Sequence, residues 1–311
     1  MVNDKKFVPV MITPFNLKAK VDLDAVSALI DFYLAAGVKG FFANCLSSEM
    51  FSISEDERLE LTRHIVQYVN GRVPVVATGS FGLTIEDKAV FTRQIFDTGI
   101  DAVIMITGHF AKVNEADDVL LRNFDTMLSL TGNIPLGMYE CPAPYKRILS
   151  APVFKQLLDT NRFVYHKDTS ILPGNVKAKL DIAKDNTMLE FYDAHTPNAM
   201  FSLQNGARGM SSISGNFYPE ILVWMCNNAT DPARQEDVAW LQNELTAVDP
   251  LIHIAYPMAA KYFLEKRGLP VRQISRSHIL QLTPEQKQTL DDIHAKFLHW
   301  CERLQIKPAT V

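Results

Sequence analysis

Short apolar runs alternate with longer amphipathic segments along most of the chain. The runs cover residues 7–12, 40–45, 73–78, 102–107, 135–139, 163–167, 189–193 and 209–213. Most are rich in β-branched or aromatic residues and lack strict alternation, the pattern of strands buried on both faces. The segments between them carry apolar residues at helical spacing. Within 24–36 the stripe is Val26, Leu29, Ile30, Tyr33 and Leu34, which predicts an amphipathic helix. Ser54 and Glu57 form a capping-box pattern that opens the next helix, running to about residue 69. Thr84-Ile85-Glu86-Asp87 opens another, with acids in its first turn to suit the helix dipole. Further helices are predicted over 115–129, 150–159, 175–184, 197–205 and 219–227.

Eight strand–helix units in series, with no break in composition, predict an α/β fold, a (β/α)8 TIM barrel over residues 1–230. A doubly wound open sheet is the competing architecture, and no G-x-G-x-x-G follows the first run to support it. After residue 230 the pattern becomes helical only, over 237–248, 253–267 and 283–305. Thr283 suits an N-cap and Pro284 a first helical turn. Residues 231–311 are thus expected to form a helical extension that packs on the barrel or on a partner subunit.

Composition narrows the partners. The chain of 311 residues is 47% hydrophobic and 21% charged, with a net charge of -4. That balance is ordinary for a globular protein and gives no electrostatic reason to expect nucleic acid or an anionic membrane. No apolar run approaches the ~18 residues of a membrane span. Cys45, Cys141, Cys226 and Cys301 are far apart and form no C-x-x-C pair. They read as reduced thiols, not as a disulfide framework or a structural zinc site. The first residues lack the apolar stretch of a signal peptide. A cytoplasmic location is the expectation.

In such a barrel the site lies at the C-terminal ends of the strands. The residues there are Thr13, the loop Leu46-Ser47-Ser48-Glu49, Thr107 with His109 and Phe110, Tyr139, Lys167, His195 with Thr196, and Ser211 to Asn216. Lys167 ends an apolar run, where burial would lower its pKa and make the amine nucleophilic. The alternative is a lysine that snorkels to the rim or pairs with Asp168. Tyr139 ends the preceding run, as packing with a satisfied hydroxyl or as a proton shuttle. Amine and phenol together point to imine chemistry on a carbonyl substrate. The Leu46–Glu49 loop suits a carboxylate, although it also reads as a plain polar loop. His109 and His195 are acid–base groups, substrate donors or rim residues. No His/Asp/Glu set has convincing metal-ligand spacing, and neither a metal nor a cofactor is expected.

These residues carry a family resemblance. Ile12-Thr13-Pro14-Phe15, Val21-Asp22-Leu23-Asp24, Ala35-Ala36-Gly37-Val38, Ser54-Glu55-Asp56-Glu57-Arg58-Leu59 and Arg72-Val73-Pro74-Val75 occur in order. They are followed by Tyr139-x-x-Pro142, Lys167-Asp168-Thr169-Ser170 and Gly206-Ala207-x-Gly209 with Asn216. The set resembles the dihydrodipicolinate synthase / N-acetylneuraminate lyase family of class I, Schiff-base-forming pyruvate aldolases. The match is collinear from about Phe7 to Leu222 and looser through the helical tail. The resemblance implies a (β/α)8 barrel with a helical C-terminal extension and a homotetramer built as a dimer of dimers. It implies that Lys167 forms the Schiff base with the ketone of a 2-oxo acid and that Tyr139 moves protons. It places the keto-acid carboxylate on the loop that here holds Ser47 and Ser48, and makes Thr13, His109, Phe110, His195, Thr196 and Ser211 candidates for substrate binding.

The departures are as informative as the matches. The first hydroxyl residue of the family's carboxylate loop is here Leu46. The tyrosine that the synthases donate from a neighbouring subunit aligns with Phe110. Both relay partners of Tyr139 are therefore apolar, and His109 offers another route. The synthases' arginine for a distal carboxylate aligns with Pro144, with Lys146 and Arg147 close behind, which disfavours lysine biosynthesis. Where the sialic acid lyases place acidic residues that bind sugar hydroxyls, at the end of the seventh run, this chain reads Asp193-Ala194-His195-Thr196, which does not favour sialic acid. The resemblance thus implies a carbon–carbon lyase for a small-molecule 2-oxo acid, such as a 2-keto-3-deoxy sugar acid. A dehydratase using the same imine and a non-catalytic keto-acid sensor remain as alternatives.

Overall fold

The computed structural model describes residues 5–277 and 281–310. Eight parallel strands form one sheet: β1 (Lys6–Phe7), β2 (Phe41–Phe42), β3 (Val75–Thr78), β4 (Ala102–Ile106), β5 (Leu136–Tyr139), β6 (Phe163–Asp168), β7 (Glu190–Asp193) and β8 (Gly209–Met210). Their order is β1-β8-β7-β6-β5-β4-β3-β2. A parallel bridge between Val10 and Phe42 joins the two ends and closes the barrel. The first strand is shorter than the run 7–12 predicts. Pro9 has no N–H to give a ladder, so pairing resumes only at Val10 and Met11, whose N–H reaches Phe42 O at 3.0 Å. Gly209 is required where β8 meets β1, because a Cβ there would lie 1.8 Å from Lys6 O.

The helices α1 (Leu23–Ala35), α2 (Glu55–Val69), α3 (Ile85–Phe96), α4 (Asp117–Leu130), α5 (Ala151–Leu158), α6 (Pro173–Ala183), α7 (Ala199–Gln204) and α8 (Pro219–Asn228) follow the strands in turn. Local chemistry fixes their starts. Ser54 Oγ accepts from Glu57 N while Glu57 Oε2 accepts from Ser54 N, and Thr84 with Asp87 repeats the arrangement.

The extension contains α9 (Gln235–Ile252), α10 (Met258–Lys266) and α11 (Pro284–Leu304), the last capped by Thr283. It packs on the barrel. Gln242 of α9 accepts from Met200 N at 2.8 Å and donates to Thr196 O and Pro197 O, just after β7. Arg267, after α10, pairs with Glu220 of α8, and both side chains are buried. Trp300 of α11 meets the Tyr218 ring edge-on at 5.3 Å. The single helix expected over 253–267 is not formed. Residues 253–257 make a turn, with Ala255 at φ 53°, and α10 begins only at Met258. Pro257 is the physical reason, since it biases the residue before it away from helical conformation.

Candidate active site

Tyr139 and Lys167 are register partners across β5 and β6, so their side chains leave the sheet on the same face, into the barrel. A cavity of about 380 Å³ opens above them at the C-terminal end of the barrel. Lys167 Nζ lies 4.6 Å from the centre of the Tyr139 ring and 5.6 Å from that of Phe42. The lysine is only 4% exposed. Burial pushes its pKa down to about 8, against a smaller upward pull from the Cys45 and Cys141 thiols. Burial pushes the Tyr139 phenol the other way, well above its ordinary range, and the neighbouring Cys141 and Cys45 add to that.

Asp168 does not pair with Lys167. Strand alternation turns it towards α6, where its Oδ2 accepts from Lys179 Nζ at 2.7 Å and its Oδ1 from Ser170 Oγ at 2.6 Å. Lys179 also donates to Glu140 Oε1. No carboxylate among the described residues pairs with Lys167. The same cluster brings Glu140, His166 and Asp168 together, with one possible ligand atom from each within 4.8 Å of the others. Sequence spacing gave no sign of this trio. It is fully buried, and the Lys179 ammonium already sits against both of its carboxylates.

The turn Leu46–Ser48 follows β2, and Leu46, Ser47 and Glu49 line the cavity. Ser48 does not. Its hydroxyl ties strands together by donating to Met11 O at 2.7 Å, and Thr13 Oγ1 donates to Ser48 O at 2.7 Å. Glu49, at φ 57°, reaches out of the turn to Lys261 Nζ of α10 at 2.6 Å. Its other oxygen accepts from Ser275 Oγ, Arg276 N and Ser277 N at 2.6–2.8 Å. Burial alone would raise this carboxyl's pKa, but the Lys261 charge and these donors outweigh it and hold it below the ordinary range.

Of the residues that the sequence singles out, Lys167, Tyr139, Ser47, His195 and Ser211 line the cavity. Thr13, Ser48, His109, Phe110 and Thr196 stand outside its lining, each for a visible reason. Phe110 stacks on Phe124 in the core, centres 4.0 Å apart. His109 turns its ring to Ser80, beside Phe51 and Phe81. Thr196 exchanges a hydroxyl contact with Ser214 at 2.6 Å. Lys146 lines the cavity, whereas Arg147 points away to Glu115 O and Asp117. Burial lowers the His195 pKa, which favours the neutral ring. Ser212 also lines the cavity, and its hydroxyl has no partner among the described residues.

Sequence reasoning missed His253, Tyr256 and Ser277, which the extension brings to the cavity. The signal was Pro257, which should have broken the expected helix and released 253–257 as a loop over the barrel mouth.

Fold and site together define a barrel enzyme with a buried, unpaired amine beside a phenol. The dihydrodipicolinate synthetase family model matches residues 3–296, and the chain belongs to that family. Its class is that of the carbon–carbon lyases. The 4-hydroxy-tetrahydrodipicolinate synthase of Bacillus subtilis (strain 168) is 27% identical over 283 residues, covering 90% of this chain and 94% of its own. The Escherichia coli K12 protein YagE, provisionally named a 2-dehydro-3-deoxy-D-gluconate aldolase, is 28% identical over 237 residues, 75% of each chain. The crystal structure of YagE in complex with pyruvate superposes with a TM-score of 0.84 at 21% identity, covering 97% of this chain and 99% of that one. Among the described residues no helix is long and apolar enough to cross a membrane.

Proposed function

We propose that this protein is a Schiff-base aldolase that cleaves, or forms, a 2-oxo acid with a hydroxylated chain, with pyruvate as the common product or substrate. The observation that carries this reading is the Lys167 amine: buried, without a counter-charge among the described residues, with a pKa near 8, and beside Tyr139. Near neutral pH such an amine is still mostly protonated, but its free-base fraction is roughly two orders of magnitude larger than that of an ordinary lysine, and it is that fraction which is nucleophilic. It attacks the C2 ketone to give a carbinolamine. Tyr139, held neutral by its raised pKa, gives its proton to the departing hydroxyl, which leaves as water. The resulting phenolate then takes the proton of the C4 hydroxyl as the C3–C4 bond breaks, and the imine receives the electron pair as an enamine. Protonation and hydrolysis release pyruvate.

The outer wall supports a hydroxylated chain. His195, Ser211 and Ser212 line it, and the buried Ser212 hydroxyl has no partner among the described residues. With Arg147 turned away and the Lys146 ammonium, which does line the cavity, donating to Thr169 O at 2.8 Å, no arginine fork from the segment after Tyr139 is there to hold a second carboxylate, which supports a 2-keto-3-deoxy sugar acid over a dicarboxylic product. A dehydratase would use the same imine and expel a hydroxide instead of an aldehyde.

We further propose a homo-oligomer, a tetramer by family resemblance. Leu83 and Val113, 95% and 73% exposed, crown the adjacent loops after β3 and β4 and suit burial against another copy. Four buried free thiols support a reducing, cytoplasmic setting.

The test is borohydride reduction with pyruvate, followed by intact mass and peptide mapping, then a panel of 2-keto-3-deoxy acids assayed for pyruvate release. A pyruvyl adduct on Lys167 is the expected result. An adduct absent, or found on another lysine, would sink the mechanism.

A further inference from the structure

We infer that Tyr256, carried in by the C-terminal extension, donates a hydrogen bond to the carboxylate of the bound 2-oxo acid alongside Ser47. The inference rests on the imine reading above and adds to it a residue outside the barrel. Tyr256 lines the same cavity as Lys167, Tyr139 and Ser47. Asn216 fixes the direction of its phenol. The Asn216 carbonyl oxygen accepts from Tyr33 Oη, and its amide nitrogen donates to Val10 O at 2.8 Å. The second amide hydrogen goes to Tyr256 Oη at 2.7 Å. With the Asn216 amide thus oriented, the Tyr256 oxygen is an acceptor there, and its own O–H is left for a different partner. Ser47 lines the same cavity and is among the groups that act on the phenol.

Two hydroxyl residues that line one cavity and have no charged partner among the described residues are weakly satisfied. An anionic oxygen placed between them would accept from both, and bonds to a charged acceptor are the stronger kind. The adjacent negative charge does not oppose this. Glu49 is neutralised by Lys261 and by the Ser275, Arg276 and Ser277 donors. Ser47 follows β2, whereas Ser211 and Ser212 follow β8, so the two sets can serve different ends of the substrate, with the Ser47 set suiting the constant, acid end.

The test compares two ketones that differ only in charge, pyruvate and methyl pyruvate, by borohydride trapping on Lys167 in the wild type and in Tyr256→Phe. The variant should raise the half-saturating pyruvate concentration roughly tenfold or more and leave that for methyl pyruvate within about twofold. Tyr256→His, which keeps a ring donor, should recover part of the pyruvate affinity. An unchanged half-saturation for pyruvate in Tyr256→Phe would overturn the inference while leaving the imine intact. So would an equal loss for both ketones in a variant that melts like the wild type, because that marks a structural role. Failure of the wild type to trap either ketone would overturn the aldolase reading and this inference with it.

Discussion

Lys167 destabilises the fold that it serves. Its pKa falls from 10.5 in the unfolded chain to about 8 in the folded one because a buried ammonium is poorly solvated. The penalty is present in full below pH 8, fades as pH rises towards 10.5, and is gone above it, where both states are neutral. Its size at neutral pH is about 3 kcal/mol. Lys167→Met should therefore lose all imine formation and yet unfold at higher denaturant than the wild type at pH 7, with the gap closing by pH 10.5. Urea titrations at the two pH values check this, and a variant no more stable than wild type at pH 7 would mean that the amine is not desolvated. The same pKa sets a kinetic limb: trapping by pyruvate should speed up as pH rises to about 8 and then level off. A rate still climbing towards pH 10 would mark an ordinary surface lysine.

At the scale of elements, a buried ion pair ties the cavity-lining turn after β2 to the extension. Lys261 of α10 and Glu49 of the turn after β2 are both buried and 2.6 Å apart. Lys261→Met would leave the Glu49 carboxylate buried with only neutral donors, a loss of about 3 kcal/mol. The double variant Glu49→Gln/Lys261→Met should recover much of it, since no uncompensated charge remains. Equal destabilisation by the single and double variants, read from denaturant midpoints, would show that the pair itself contributes little beyond packing. This connection was not legible in the sequence, because residues 212 positions apart leave no local trace. What was legible is local. The capping box at Ser54, the acid-rich helix start at Thr84, the N-cap at Thr283 and the apolar runs gave the element order, and the ends of two adjacent runs gave Lys167 and Tyr139. Long-range pairings were hidden in the same way as the Lys261 contact. Asp168 looked like a partner for Lys167 until Lys179, arriving on α6, took it. Pro257 is legible in the sequence as a helix breaker, and the loop it releases carries Tyr256 to the cavity.

At the scale of the molecule, the extension and the barrel behave as parts of one core. Helices α9 to α11 bury Leu241, Leu245, Phe263, Phe297 and Trp300 in the same apolar cluster that holds the strands. They also supply Tyr256 to the cavity and Lys261 to Glu49. A barrel cut at residue 230 would expose the faces of α7 and α8 and lose part of its cavity wall. The three tryptophans divide usefully: Trp224 lies on α8, Trp240 on α9 and Trp300 on α11. Fluorescence therefore reports mainly on the extension and its contact with the barrel, while far-UV circular dichroism reports on every helix. If the shared core governs unfolding, the two signals should trace a single coincident transition in urea. Residues 1–230 expressed alone should show no cooperative transition. A fluorescence change that precedes the loss of helix would mean that the extension detaches first, and the barrel would then stand as a unit that merely borrows Tyr256 from a loosely held neighbour.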